Sequence, residues 1–125
     1  MFRNTGNDGG YLAFVNRGND RATFATALSA AGYRTAMLGK YLNGYLPPKH
    51  PAAPGWTSWA VAGHAYAEFN YALNQDGRVV QYGHSAGDYL TDVLSGLSVR
   101  FIRQAADAPF LIVISCQAAE RRELR

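Results

Sequence analysis

The sequence of 125 residues has few charged side chains and a single cysteine. Charged residues make up 17% of the chain and hydrophobic residues 48%, whereas globular proteins carry about 25% charged residues on average. One cysteine, Cys116, excludes an internal disulfide and any zinc site that needs several cysteines. Because it follows an apolar run, we expect Cys116 to be a small buried side chain rather than a nucleophile.

Long hydrophobic runs and basic clusters are also missing. No run approaches the length of a membrane span, and residues 1–10 have no apolar core of signal-peptide length, so we expect no membrane partner and the compartment stays open. The net charge of +3 is small and gathers near residue 125, which argues against a nucleic-acid partner. The length suits one small domain.

The first half of the chain predicts one helix and one strand. Residues 1–20 are rich in Gly and Asn and are predicted to be irregular. "RATFATALSAAG" predicts a helix that is capped by Asp20 or Thr23 and ends at Gly32. Its apolar face consists of Phe24, Ala27, Leu28 and Ala31. "YRTAMLG" then predicts a buried strand, and residues 44–64, with four prolines, predict a long ordered loop that buries Trp56 and Trp59.

The second half predicts a hairpin, a helix and a strand. "FNYAL" and "RVVQYG" flank Asp76-Gly77, a strong hairpin signal. "SAGDYLTDVLSGLSVRFIRQA" has apolar residues at helical spacing, and Ser85 with Asp88 resembles a capping box. "FLIVIS" is apolar on both faces, as a central parallel strand requires. The predicted class is therefore α/β, with parallel core strands flanked by helices and an inserted β-hairpin. Two parallel strands alone would leave apolar edges exposed, so the chain reads as a piece of a larger sheet.

Lys40 is the first candidate functional residue. It follows the first predicted strand directly, and α/β proteins gather functional groups beyond the carboxyl ends of their strands. Taken alone, a lysine in such a place is more often a solvated surface residue. Nothing in the local pattern names a ligand for it.

Other polar residues favour structural roles. His50, His64 and His84 lie in loop-like sequence without metal-ligand spacing, so we predict no metal site and expect surface or partly buried histidines. Asp88 and Asp92 are expected to favour a helix N-terminus. Three tyrosines are predicted to pack their rings in the protein and keep their hydroxyls in water, namely Tyr33, Tyr41 and Tyr45. The alternative is that their rings form a surface on which a sugar binds.

Several segments in one order resemble the sulfatases. "AGYRTAMLGKYLNGY" is similar to their second signature, in which Gly-Tyr-x-Thr runs into Gly-Lys-aromatic, and "NTG" and "GGY" resemble the approach to it. "PGWTSW", "FNYALNQDGRVV", "DYLTDVLSGLSVRFI" and "APFLIVIS" resemble the arylsulfatase and N-acetylglucosamine-6-sulfatase branch. The resemblance covers about residues 3–115 and leaves 116–125 as a divergent tail. Residues 1–125 are thus expected to be one partial N-terminal sulfatase domain.

The resemblance implies a fold and a chemistry. Sulfatases share the alkaline-phosphatase-like α/β fold and hydrolyse sulfate esters, using a formylglycine made in a C/S-x-P-S-R motif and a calcium ion held by Asp and Asn or Gln. The signature lysine contacts the sulfate, which gives Lys40 a catalytic and substrate-binding role. His64, in the substrate-side loop, is a second substrate-binding candidate. The implied partners are a sulfate-ester small molecule or a sulfated sugar, and full-length relatives are commonly exported or lysosomal.

The sequence also departs from that family pattern. It has no C/S-x-P-S-R motif, and "SCQAAERRELR" stands where the family usually reads "APxxPHxP", so a catalytic histidine is missing. Leu42 takes a place where many members have histidine. We therefore expect this chain alone to hold no Ca²⁺ and to be inactive. The alternative is a non-catalytic module that binds a sulfated glycan or a partner chain completing its sheet.

Overall fold

The computed structural model describes residues 9–63 and 67–116. Three α-helices are present in this part: α1 Gly10–Asn16, α2 Phe24–Ala30 and α3 Leu90–Ala105. Two 3₁₀ turns cover Asn19–Arg21 and Ala86–Asp88. The strands are β1 Arg34–Lys40, β2 Ser58–Ala62, β3 Ala72–Gln75, β4 Arg78–Gln81 and β5 Phe110–Ser115. None of these helices is long and apolar enough to cross a membrane.

The strands form one mixed sheet in the order β4-β3-β2-β1-β5. β1 pairs with β2 and with β5, and both pairings are parallel. β3 and β4 continue the same sheet beside β2 as an antiparallel hairpin. The predicted α/β class with parallel core strands is therefore confirmed. The hairpin is part of the sheet rather than a separate insertion.

Apolar side chains cover both faces of the sheet. One cluster lies under α3 and contains Leu38, Ala60, Ala62, Tyr71, Leu73, Leu90 and Leu94. The cluster on the other side contains Tyr11, Met37, Tyr45, Trp59 and Val61, with parts of residues 41–56 packed against it. The alternation of Met37 and Leu38 between the two clusters follows from the two-residue period of a strand. β1 is thus buried on both faces, as its sequence predicts.

The N-terminal helices differ from the sequence prediction. Residues 10–16 form α1, where irregular chain was predicted. Thr23 caps α2 in a capping box, which confirms one of the two proposed caps. The predicted buried face of α2 is wrong: Phe24 is 60% exposed, whereas Ala25 is 0% exposed. The reason is a close backbone approach, since a Cβ at Gly55 would overlap the backbone of Ala25 and Thr26.

The predicted loop over residues 44–64 is wrong at its end, where β2 lies. β2 is buried and apolar on both faces, so its sequence shows no alternation and is too short to distinguish from a packed loop. The predicted burial of Trp59 is confirmed, since 1% of it is exposed. Trp56 is partly buried.

The hairpin and the long helix agree with the sequence. Asp76 and Gly77 have φ of 52° and 94°, the positive values that a type I′ turn requires. α3 buries residues at helical spacing, namely Leu90, Leu94, Ser98, Phe101 and Ala105. The capping box of Ser85 and Asp88 is present, but it closes the 3₁₀ turn before α3.

The last strand occupies an unexpected place. β5 was predicted to be central, but within the described residues it pairs only with β1 and forms one edge of the sheet. Phe110 and Ile114 are accordingly 39% and 45% exposed. The predicted burial of Cys116 is also wrong, since this thiol is exposed just beyond the edge strand. Exposed apolar edges agree with the prediction of an unfinished sheet.

Gly39 is required where β1 meets β5, and replacing it tests this packing. Its φ is +98°, and an added Cβ would overlap the carbonyl oxygen of Ser115. We expect Gly39→Ala to lower the free energy of unfolding by more than about 1 kcal/mol. Gly96 in α3 is the matched control, because nothing lies within 4 Å of its added Cβ. Gly96→Ala should instead stabilise the helix, by up to about 1 kcal/mol. Equal effects of the two changes in urea denaturation would contradict this account.

Candidate functional site

Lys40 lies where three parallel strands end together. It is the last residue of β1 and pairs in register with Ala62, the last residue of β2. Its neighbour Gly39 pairs with Ser115, the last residue of β5. Because β3 is antiparallel to β2, the chain just before β3 lies at this same edge. The first turn of α3 is joined to it there, since the Leu90 N–H donates to the Glu68 carbonyl oxygen at 2.8 Å. The sequence prediction that Lys40 stands at the carboxyl end of a buried strand is confirmed.

The Lys40 ammonium group is partly withdrawn from water. Lys40 is half-buried, and burial alone lowers its pKa below the usual 10.5. Within residues 9–63 and 67–116, no carboxylate forms an ion pair with this group. Such a half-buried cation favours binding of an anion, because a nearby negative charge stabilises the charged form of the lysine.

The segment after Lys40 is tied down by a buried hydroxyl. Tyr45 is 1% exposed, and its hydroxyl donates to the His50 carbonyl oxygen at 3.0 Å. The Tyr45 hydroxyl oxygen in turn accepts hydrogen bonds from Trp59 Nε1 at 2.9 Å and from Asn74 Nδ2 at 3.1 Å. This one hydroxyl therefore joins the loop after β1 to β2 and β3.

His50 contributes to the same loop through its ring. Its Nδ1 accepts a hydrogen bond from the Leu46 N–H at 2.9 Å, so Nδ1 is not available for a proton. Burial, and then the nearby charge of Lys49, lower the pKa of His50. The ring also lies against Tyr11, with centroids 4.4 Å apart. His50 is thus a partly buried structural histidine, in agreement with the sequence.

The tyrosines form a packed cluster rather than an open platform. Tyr41 contacts Tyr11, Tyr45 and Trp59 in edge-on geometry, with centroids 4.9–6.4 Å apart. Burial, followed by the charge of Asp20, raises the pKa of Tyr41 to about 12, so its hydroxyl stays neutral at ordinary pH. The predicted packing role is therefore confirmed for Tyr41 and Tyr45. The prediction of a solvated hydroxyl is wrong for Tyr45. Its hydrogen-bond partners lie 5, 14 and 29 residues away in the sequence, so no local pattern could reveal them.

The remaining candidate residues lie apart from one another. His84 is exposed and stacks on Phe69, and His64 lies outside the described residues. Asp92 lies in the first turn of α3, as predicted. Asp88 lies instead in the 3₁₀ turn before α3, where its carboxylate accepts a hydrogen bond from the Ser85 N–H at 3.0 Å. In the part of the chain that the structure describes, no group of three or more His, Cys, Asp or Glu could hold a metal.

These features define an α/β protein with a half-buried lysine at the carboxyl edge of its parallel strands, and comparison with known proteins gives the family. The sulfatase family model matches residues 1–119. The chain is 34% identical over 123 residues to the extracellular sulfatase SULF-1 homolog of Drosophila melanogaster, covering 86% of this chain and 11% of that protein. It is 35% identical over 103 residues to the N-acetylglucosamine-6-sulfatase of Capra hircus, covering 77% and 18%. The chain belongs to the sulfatase family.

A solved structure supports the fold. BT4656, in complex with its substrate D-glucosamine-2-N,6-O-disulfate, matches with a TM-score of 0.63 and 23% identity. The match covers 82% of this chain and 19% of that one. The chain thus has the fold of part of a sulfatase. It spans only between 11% and 19% of the length of these three proteins.

The Tyr45 hydroxyl is testable by removing one atom. We expect Tyr45→Phe to reduce the free energy of unfolding by about 1–3 kcal/mol, because the buried Trp59 Nε1–H loses its acceptor. The partly exposed Tyr33 provides the control, and Tyr33→Phe should change stability by less than about 0.5 kcal/mol. Chemical denaturation followed by tryptophan fluorescence measures both. A Tyr45 variant as stable as the Tyr33 variant would rule out this anchoring role.

Proposed function

We propose that this chain forms one wall of the substrate site of a sulfuric ester hydrolase, in which the Lys40 ammonium contacts the sulfate group. The observation that carries the proposal is the half-buried Lys40 at the joint end of three parallel strands, which has no ion-pair partner among the residues that the structure describes. A compact ammonium with three donors suits a sulfate group. In a pocket with little water, such a fixed charge stabilises negative charge on the ester oxygens without reorganisation.

The proposed substrate is a sulfated sugar, and a 6-sulfated glucosamine is the preferred candidate. The N-acetylglucosamine-6-sulfatases among the relatives and the glucosamine disulfate bound by BT4656 support this choice. Lys40 offers a single ammonium, which fits one sulfate group at this position. A second substrate contact through His64 remains a prediction from the sequence resemblance.

We propose further that this chain alone binds the ester without cleaving it. The sequence has no C/S-x-P-S-R motif from which formylglycine could be made. The family resemblance implies Ca²⁺, but within residues 9–63 and 67–116 no cluster of acidic, histidine or cysteine side chains fits a metal. The described residues therefore do not fit a calcium site, and no step is assigned to the ion. Lys40 binds and orients the sulfate.

A titration of the two lysines, Lys40 and Lys49, tests the sulfate contact. In protein labelled with ¹³C-lysine, we expect 4-nitrophenyl sulfate to raise the pKa of Lys40, because a bound anion favours the ammonium form. The ¹³C signal of the exposed Lys49 should not respond to the ester and serves as an internal control. With Ca²⁺ present, the ester should remain intact throughout.

Two outcomes would count against these proposals separately. An unchanged Lys40 pKa at saturating ester would exclude the sulfate contact. Release of 4-nitrophenol that disappears in Lys40→Ala would contradict the proposed inactivity while supporting the role of Lys40.

The second candidate is a non-catalytic module that pairs with another chain. The apolar β5 edge favours it, since Phe110 and Ile114 are exposed there and the strand carries no charge. Such an edge is a template for strand addition. The opposite edge strand, β4, begins with the exposed charge of Arg78 and is better protected. Any added strand would therefore join at β5.

Sedimentation of single-residue variants tests this edge. We expect the chain to associate with increasing concentration, and Ile114→Lys to prevent association because a charge blocks pairing at an edge. Val79→Lys is the matched control, since Val79 on β4 is exposed to a similar extent, 50% against 45%. A chain that stays monomeric, or equal behaviour of both variants, would argue against pairing through β5.

A further inference from the structure

His50 closes a turn in the loop that follows Lys40. Its N–H donates to the Leu46 carbonyl oxygen at 2.9 Å, and its ring Nδ1 accepts from the Leu46 N–H at 2.9 Å. The His50 carbonyl oxygen accepts two further hydrogen bonds, from the Tyr45 hydroxyl at 3.0 Å and from Asn74 Nδ2 at 3.2 Å. We call residues 46–50, held by these four hydrogen bonds, the His50 turn.

The His50 turn requires a neutral imidazole ring. In a neutral ring one nitrogen carries the proton and the other accepts, and here the acceptor is Nδ1. An imidazolium carries hydrogen on both nitrogens, so no rotation of the ring restores an acceptor. Protonation therefore sets two donors against each other and leaves the Leu46 N–H without its partner.

The groups that face the ring also disfavour a positive charge on it. In the described part of the chain these groups are Tyr11 from α1, Tyr45 and Lys49. Burial raises the pKa of both tyrosines, so their hydroxyls carry no negative charge at neutral or acid pH. The Lys49 ammonium repels an imidazolium, and among the described residues no carboxylate offsets this repulsion. The surroundings thus agree with the hydrogen bonds in keeping His50 neutral.

The His50 turn also holds the chain that leaves β1. Tyr41, the residue after Lys40, packs edge-on against Tyr45 with centroids 5.9 Å apart. The Tyr45 hydroxyl joins this packing to the His50 turn and accepts from Trp59 Nε1 at 2.9 Å. Opening the turn would therefore loosen the backbone on the carboxyl side of Lys40, while β1 keeps its two strand neighbours.

We infer that the His50 turn is an acid-sensitive switch, which opens when His50 is protonated and then weakens anion binding at Lys40. The opening follows from the hydrogen bonds of His50, whereas its effect on anion binding rests on the proposed function. Burial, and then the charge of Lys49, lower the pKa of His50 in the folded chain below the usual 6.5. The stability that a neutral His50 contributes is therefore present above about pH 6.5. It is lost as the pH falls from there through the lower pKa of the folded chain.

A variant that keeps the acceptor but cannot titrate tests the switch. In His50→Asn the side-chain oxygen replaces Nδ1 as the acceptor and binds no proton. The matched control is His84→Asn, which removes an exposed histidine. Urea denaturation compares all three chains at about pH 7.5 and about pH 5.5, on either side of the ordinary histidine pKa. We expect acid to raise the unfolding equilibrium constant of the unaltered chain and of His84→Asn by up to about tenfold more than that of His50→Asn.

The Trp59 indole reports the turn while the chain stays folded. Its N–H donates to the Tyr45 hydroxyl, so its ¹⁵N–¹H signal should change when the His50 turn opens. In the unaltered chain we expect this change to have the same pH midpoint as the ¹³C signal of the His50 ring. In His50→Asn the Trp59 signal should stay fixed over the same pH range.

Binding of 4-nitrophenyl sulfate measures the consequence at Lys40. Because only chains with a closed turn are competent, the affinity of the unaltered chain should fall about twofold at the His50 midpoint and about tenfold one pH unit lower. The affinity of His50→Asn should be the same at both pH values.

The outcomes distinguish the switch from the proposed function. If Lys40→Ala binds the ester as tightly as the unaltered chain at neutral pH, the sulfate contact is wrong, and the opening of the turn is still decided by Trp59 and by urea denaturation. A Trp59 signal that stays fixed while His50 titrates would overturn the switch, even if His50→Asn failed to fold. An equal response of the unaltered chain and His50→Asn to acid would also overturn it. An ester affinity that does not fall while the turn opens would exclude control of the Lys40 site.

Discussion

The pairing of β1 with a parallel strand on each side is the interaction on which the rest of the structure depends. β1 is buried on both faces from Thr35 to Gly39, and only a residue without Cβ fits beside Ser115. This close approach brings the ends of three strands together and makes Lys40 the last paired residue of β1. Its ammonium group is held at the rim of the core, where partial burial lowers its pKa. The reactivity proposed for Lys40 toward an anion is thus a consequence of backbone packing.

The connection from β1 to β2 shows how the chain compensates for a missing crossover helix. Parallel neighbours are usually joined through a helix, but residues 41–57 contain neither helix nor strand. Side chains replace the missing regular structure. The Tyr45 hydroxyl bonds to the loop, to β2 and to β3 at once, and the aromatic rings of Tyr11 and Tyr41 pack around it. The position of the backbone after Lys40 therefore depends on contacts between residues distant in sequence.

This dependence explains which features the sequence could predict. The Asp76-Gly77 turn, the Thr23 cap and the helical spacing of α3 are local signals, and the structure confirms each of them. β2 and the buried side of α2 were wrong or missed, because each is defined by a neighbour far along the chain. Likewise the sequence placed Lys40 at a strand end, whereas its partial burial and lack of a partner within the described residues required the assembled sheet.

The two sides of β1 differ in a way that bears on the proposed site. On the β2 side, the hairpin continues the sheet and ends it with the charged strand β4. On the β5 side, the backbone edge is unpaired within the described residues and its exposed side chains are apolar. Since a further strand is added most readily to an uncharged edge, groups that complete the site would approach Lys40 from the β5 side.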